Sequence, residues 1–293
     1  MAKKKAKPAK RYNPKKIEPL GKIHGGKAVL ARRMVELHPA PVTYGKHVEA
    51  YGGLASVKLN LLPATREHPR IDVYNDANER LTHMFDMLRQ HPLDMREALQ
   101  TTLYSEPDFE KAKDLARYKR AGCVEKARLT YVLHQMSFGG QGGSFSISKH
   151  RTRRGIADVV SGHLGTIHDM LPAILARVAD WQIENTAAVE CIESHDGVRT
   201  MFYLDPPYLP STRAKGSRKA YGANEMTYAQ HEELLRLVVK LKGYVLISGY
   251  DSALYRKYLE TDNHWKRHQF EIANHAAGGK EKRRMIECAW ANY

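Results

Sequence analysis

Cysteine is scarce in this 293-residue chain: Cys123, Cys191 and Cys288 stand far apart and form no CxxC pair. That argues against a disulfide framework and against the paired thiols of a zinc or redox motif, and it fits three reduced thiols in an intracellular protein. Long apolar runs are lacking as well, so no segment reads as a bilayer span. The lysine-rich start, MAKKKAKPAKRYNPKK, has no apolar stretch of the kind a secretory signal needs. A cytoplasmic protein with no membrane partner and no metal is the expectation. Acidic residues are the third shortage: 32 Asp and Glu face 47 Lys and Arg, a formal net charge of +15. Such an excess favours a polyanionic partner, with nucleic acid the first candidate.

What is present suits an α/β protein. A hydrophobic content of 42% is enough to bury one large domain carrying an inserted module. Residues 1–16 combine Lys, Ala and Pro with little to bury, and read as a disordered basic tail that attracts phosphates or simply aids solubility. A helix is expected over 28–37, a strand over 46–51, a helical stretch to about 62, and a second strand over 70–74. Leu81, Met84, Phe85 and Leu88 recur at helical spacing up to His91-Pro92. Residues 95–179 change character to helices and loops, with one long helix over 109–136, a glycine-rich linker over 137–144 and a basic cluster at Lys149, Arg151, Arg153 and Arg154. The α/β pattern resumes over 187–192 and 200–204. Thr227 and Gln230 make a capping-box signature, and strand candidates over 265–272 and 283–290 close the chain as an antiparallel hairpin.

The chemistry concentrates where strands end. Asp205-Pro206-Pro207-Tyr208 follows the 200–204 strand, at the edge where open α/β sheets bind their ligands. Two prolines stiffen this loop, so that the Asp205 carboxylate and the Pro206 carbonyl can each accept a hydrogen from a weakly nucleophilic aromatic amine, with Tyr208 as a stacking face. Glu49 to Gly53 follows the first strand, its glycines permitting close approach of a ligand. Asn75-Asp76 follows the second, where an acid can hold a ribose.

Gly25-Gly26-Lys27, the 49–53 segment, Asn75-Asp76, the 202–208 segment and Ser248-Gly249-Tyr250 occur in the order that Dam-like adenine-N6 DNA methyltransferases show, and the chain resembles the phage and prophage members of that family from about Leu20 onward. The resemblance implies a Rossmann-like S-adenosylmethionine-dependent methyltransferase sheet over 17–94 and 180–293, with 95–179 as a mostly helical target-recognition domain. It implies Gly26, Lys27, Glu49, Gly52, Gly53, Asp76 and Phe202 as cofactor contacts, and Asp205, Pro206, Pro207 and Tyr208 as the catalytic loop acting on a flipped adenine of double-stranded DNA. Lys149, Arg151, Arg153 and Arg154, together with Arg213, Lys215, Arg218 and Lys219 after the catalytic loop, are candidate DNA contacts. The chain departs from the family pattern at Ile23-His24, where an aromatic residue is usual, at Ala50 for proline and at Ala55 for glycine. The same carboxylate pocket would activate an amine of RNA or cytosine N4, and a DNA-binding protein without activity is a third reading.

Overall fold

Short apolar segments that end in turn residues assemble here into one twisted sheet. The computed structural model describes residues 15–213, 222–273 and 284–293. In chain order the elements are α1 (Ala31–Leu37), β1 (Lys46–Glu49), β2 (Ile71–Asn75), α2 (Glu79–Gln90), α3 (Pro92–Gln100), α4 (Glu106–Lys113), α5 (Leu115–Arg120) and α6 (Cys123–Met136). They continue with β3 (Thr152–Arg153), β4 (Ile156–Ala157), α7 (Asp158–Gly165), α8 (Leu171–Val178), β5 (Trp181–Glu184), α9 (Ala188–His195) and β6 (Thr200–Leu204). The last are α10 (Tyr228–Val238), β7 (Tyr244–Tyr250), α11 (Ala253–Tyr255), β8 (Lys266–Ala273) and β9 (Arg284–Ala291).

The seven-stranded sheet has the order β5-β2-β1-β6-β7-β9-β8. Its first five strands are parallel, and β9 runs antiparallel to both β7 and β8 as the expected closing hairpin. The chain is thus an α/β fold with a mostly parallel sheet. From β1 the chain moves outward through β2 to β5, then returns to the opposite side of β1 as β6. That reversal opens a crevice between the carboxyl ends of β1 and β6, the position at which such sheets bind ligands.

Both faces of the sheet are covered, so its strands are apolar on both sides. Val73, Phe202, Leu204, Val245 and Ile247 face the cluster that holds Leu234 and Leu235 of α10. Alternate residues face the other side, where Met201, Tyr203 and Leu246 meet Met34 and Val35 of α1. Farther along, Tyr74 and Trp181 join one continuous core with Phe85 of α2, Leu99 of α3, Phe109 of α4, Leu129 of α6 and Ile174 of α8. The 95–179 segment therefore packs on α2, which itself lies against β5. No helix among the described residues is long and apolar enough to cross a membrane.

Several elements differ from the sequence reading. The helix expected up to residue 62 is only a 3-10 turn, Lys58–Asn60. The long helix expected over 109–136 is three helices, because the Asp114 side chain caps α5 by accepting from Ala116 and Arg117, and Gly122 starts α6. The strand before α9 is β5, while residues 188–192 are helical. The glycine-rich segment is no loose linker: Gly139, Gly140 and Gly142 have positive φ, and a Cβ on Gly140 would lie 2.5 Å from the Lys22 backbone. The capping box at Thr227 and Gln230 is present.

One polar group set is locked beneath β1 and β2. Lys58 Nζ donates to Asp72 Oδ1 at 3.2 Å and to His47 Nδ1 at 3.0 Å, while Arg70 grips both Asp72 oxygens at 3.0 and 2.8 Å. Burial opposes the Asp72 charge, but Lys58 and Arg70 outweigh it and hold the carboxyl at about 2. Removing one partner leaves the others charged and buried. Asp72→Ala should lower unfolding stability by about 3–5 kcal/mol in denaturant titration; a loss below about 1 kcal/mol would show that the network carries little.

Candidate functional site

The loops after β1, β2, β5 and β6 enclose a cavity of about 600 Å³, within the ordinary size range for a small-molecule site. Backbone geometry shapes its floor. Gly52 N–H donates to Asn75 O at 2.8 Å, and a Cβ at Gly52 would stand 2.2 Å from the buried Tyr74 ring, so this approach requires glycine. Gly53 lies in the left-handed region at φ 51, and its N–H donates to Asp76 Oδ2 at 2.7 Å. The other oxygen, Oδ1, accepts from Asn78 N–H at 2.8 Å. Asp76 thus ties the β1 and β2 loops together, and the N-cap of α2 is Asn78. Ala55, where the family resemblance expects glycine, has φ 54, a conformation that costs an alanine roughly 1–2 kcal/mol.

The cavity is acidic although the chain is basic. Glu49, Asp76, Glu190, Asp205, Glu225 and Glu233 line it, against Lys27 and His24. Glu49 is 2% exposed, and its Oε1 has no hydrogen-bond partner among the described residues. Burial pushes the Glu49 carboxyl up to about 8; Lys58 opposes the shift, while Asp205 and Asp72 add to it. Burial likewise raises the Asp76 carboxyl, against the pull of the Asn78 and Gly53 N–H groups.

At one end of the cavity Lys27 is clamped. Its ammonium donates to Gly25 O at 3.0 Å and pairs with Asp205 Oδ1 at 2.7 Å and Glu287 Oε1 at 3.2 Å. It also lies 4.6 Å from the centre of the Tyr208 ring. Ser248 Oγ donates to the same Asp205 oxygen at 2.8 Å. The Tyr208 hydroxyl donates to Glu287, and the Tyr208 ring meets Tyr250 edge-on at 4.7 Å between centroids.

The expected site residues fall into three groups. Gly26, Lys27, Glu49, Gly52, Gly53, Asp76, Asp205 and Pro207 all line the cavity. Pro206 and Tyr208 adjoin it but are buried. Phe202 does not line it: strand parity turns Phe202 into the core beneath α10, and its neighbour Tyr203 forms the wall instead. Among the candidate DNA contacts, Lys149, Arg151, Arg153 and Arg154 are exposed. The arginines belong to the β3–β4 hairpin, where Asp158 pairs with Arg151 and Arg153 and Asp169 pairs with Arg154. Arg213 is instead 6% exposed, and its guanidinium is bound to Glu225, a residue of the cavity lining, so that it does not face outward. Lys215, Arg218 and Lys219 lie outside the described residues, as do most of the tail and the turn over 274–279.

Sequence reasoning missed Tyr203 and Glu287, and quoted Ser248 within the family resemblance without giving it a role. The available signal for Glu287 was a lone acid between Ile286 and Cys288 in an apolar strand. Away from the cavity, Glu184, Cys191 and His195 also gather. Lys46 Nζ donates to His195 Nδ1 at 3.3 Å, which leaves the Nε2 proton to bond Glu184 at 2.9 Å, so the group is satisfied as a hydrogen-bond chain. Compared with known proteins, the chain matches no family model and no curated protein.

The Glu49 shift has a thermodynamic sign. An unfolded Glu titrates near ~4.3, so between that value and about 8 the folded state keeps a proton that the unfolded state has lost. Stability from this group is complete below the ordinary carboxylate range and falls as pH rises to about 8. Glu49→Gln, which cannot ionise, should flatten the decline of Tm over that range and raise Tm near its upper end. Parallel curves for the two proteins would contradict the burial of an ionisable Glu49.

Proposed function

We propose that the chain is an S-adenosylmethionine-dependent DNA methyltransferase acting on the exocyclic N6 of a flipped-out adenine in double-stranded DNA. In this reading 17–94 and 180–293 are the catalytic domain and 95–179 the target-recognition domain. The observation that carries it is the Lys27 ammonium bound to Asp205 above the Tyr208 ring, at the end of an acidic cavity. An ammonium 2.7 Å from Asp205 Oδ1 and 4.6 Å from an aromatic centre occupies the relation to carboxylate and ring that an exocyclic amine and its base would need.

The residues present fit the cofactor. S-adenosylmethionine supplies an electrophilic methyl on a sulfonium centre, and carries an ammonium as well. A cavity lined by six carboxyl residues attracts such a cation, and Glu49 Oε1 is a buried acceptor available to it. Asp76 can accept ribose hydroxyls on lone pairs left by its two backbone bonds. Gly26, Gly52 and Gly53 keep the backbone close, and Tyr203 takes the wall position first expected of Phe202.

On the amine side, the chain's own groups do the positioning. Ser248 fixes the Asp205 carboxylate from the neighbouring strand β7. Pro206 and Pro207 stiffen the loop, on which the Pro206 carbonyl is the second acceptor for the amine. A base entering this site must first be extruded from the duplex, at a cost of a few kcal/mol. The exposed β3–β4 arginines suit the phosphates flanking it.

The test is incubation with unmethylated genomic DNA and S-adenosylmethionine, read by nucleoside mass spectrometry. N6-methyladenine is expected from the wild type, and at least about a hundredfold less from Asp205→Ala, which should still bind DNA. Equal product from both proteins would overturn the role of Asp205. Methylation of RNA or of cytosine alone would replace the substrate, and no product at all would favour a DNA-binding protein without activity.

A further inference from the structure

Glu287 enters the site from β9, the strand that the closing hairpin inserts between β7 and β8. Its register sets it beside Tyr250 on β7 and Phe270 on β8. The carboxylate is 3% exposed, while Ile286 next to it is 49% exposed. One oxygen, Oε1, receives both the Tyr208 hydroxyl and the Lys27 ammonium. An acid this deeply buried needs partners, and it has selected the two groups that define the amine end of the cavity.

Resting on the methyltransferase reading above, we propose that Glu287 is a positioning residue for substrate amine entry. It holds Lys27 when the ammonium yields Asp205 to the substrate, and it fixes the Tyr208 ring by its hydroxyl. The chemistry of the exchange supports this. Lys27 has acceptors in Gly25 O, Asp205 Oδ1 and Glu287 Oε1. When an amine takes the Asp205 oxygen, Glu287 remains as an anionic partner, so the ammonium leaves the Tyr208 face without being stranded. Without the Glu287 charge, Asp205 is the nearest anion left to Lys27, and the ammonium competes with the substrate for it.

Glu287→Gln keeps the size and one acceptor oxygen, and replaces the charged carboxylate with a neutral amide. On duplex DNA carrying 2-aminopurine at the target position, it should reduce base extrusion, read as fluorescence, and lower kcat by about tenfold or more. S-adenosylmethionine affinity should change by less than about threefold, because Glu287 does not itself line the cavity; a purely structural defect would also lower cofactor affinity and Tm. Adding Lys27→Met to Glu287→Gln should restore part of the extrusion, since the competing ammonium is gone. If Glu287→Gln does not fold, Tyr208→Phe removes only the hydroxyl that Glu287 holds, and a severalfold loss of kcat is expected. Wild-type extrusion and turnover in Glu287→Gln, losses that simply multiply when Lys27→Met is added, or an unaffected Tyr208→Phe would overturn the proposal while leaving the methyltransferase reading intact. A wild type that methylates nothing would overturn both.

Discussion

A single buried ammonium holds the site together. Lys27 comes from the loop before α1, Asp205 from the end of β6 and Glu287 from β9; sheet pairing brings the two carboxylates near each other, and the ammonium balances both. Burial raises the Glu287 carboxyl and Lys27 opposes that rise. The pairing also stacks charge over the Tyr208 ring, whose hydroxyl is in turn held by Glu287. Remove the cation and two buried carboxylates confront each other across a few ångströms, with the Glu49 carboxyl, raised to about 8 by burial, in the same cavity. The cavity tolerates its acids because Lys27 balances Asp205 and Glu287, Arg213 pairs with Glu225, and burial keeps the Glu49 carboxyl protonated up to about 8.

The distribution of charge divides the labour of the molecule. Outside, the chain is strongly basic, with a net charge of +15 and arginines exposed on the β3–β4 hairpin. Inside, the crevice at the sheet's reversal point is acidic. On the proposed function, the basic surface would suit the polyanion and the acidic cleft the cationic cofactor, so that the two partners would not compete for one field. Arg213 illustrates the boundary. It follows the 205–208 loop closely enough to suggest a phosphate contact, yet it turns inward to pair with Glu225 of the cavity lining.

Much of this was legible in the sequence because strand ends announce themselves. Glu49-to-Gly53, Asn75-Asp76 and Asp205-to-Tyr208 combine an apolar run with turn residues and an acid, and all three converge on one cavity. Less legible was whatever depends on parity or long-range contact. Phe202 and Tyr203 are equally apolar aromatics, and only the register with β1 and β7 decides which faces the cleft. The stretch after Gly53 looked helical, but Gly52 bonds back to Asn75 and Ala55 turns left-handed, so the helix never forms. The 109–136 run was periodic enough for one helix, yet Asp114 prefers to cap and divides it. Glu287 was overlooked because its partners lie on strands and loops more than seventy residues away.

Calorimetric titration of S-adenosylmethionine into the wild type and into Glu49→Gln tests most directly whether the acidic cleft is a cofactor site. One molecule bound per chain, with affinity lower by about tenfold in the variant, is the expected result. No binding to the wild type, or equal affinity in both proteins, would contradict it.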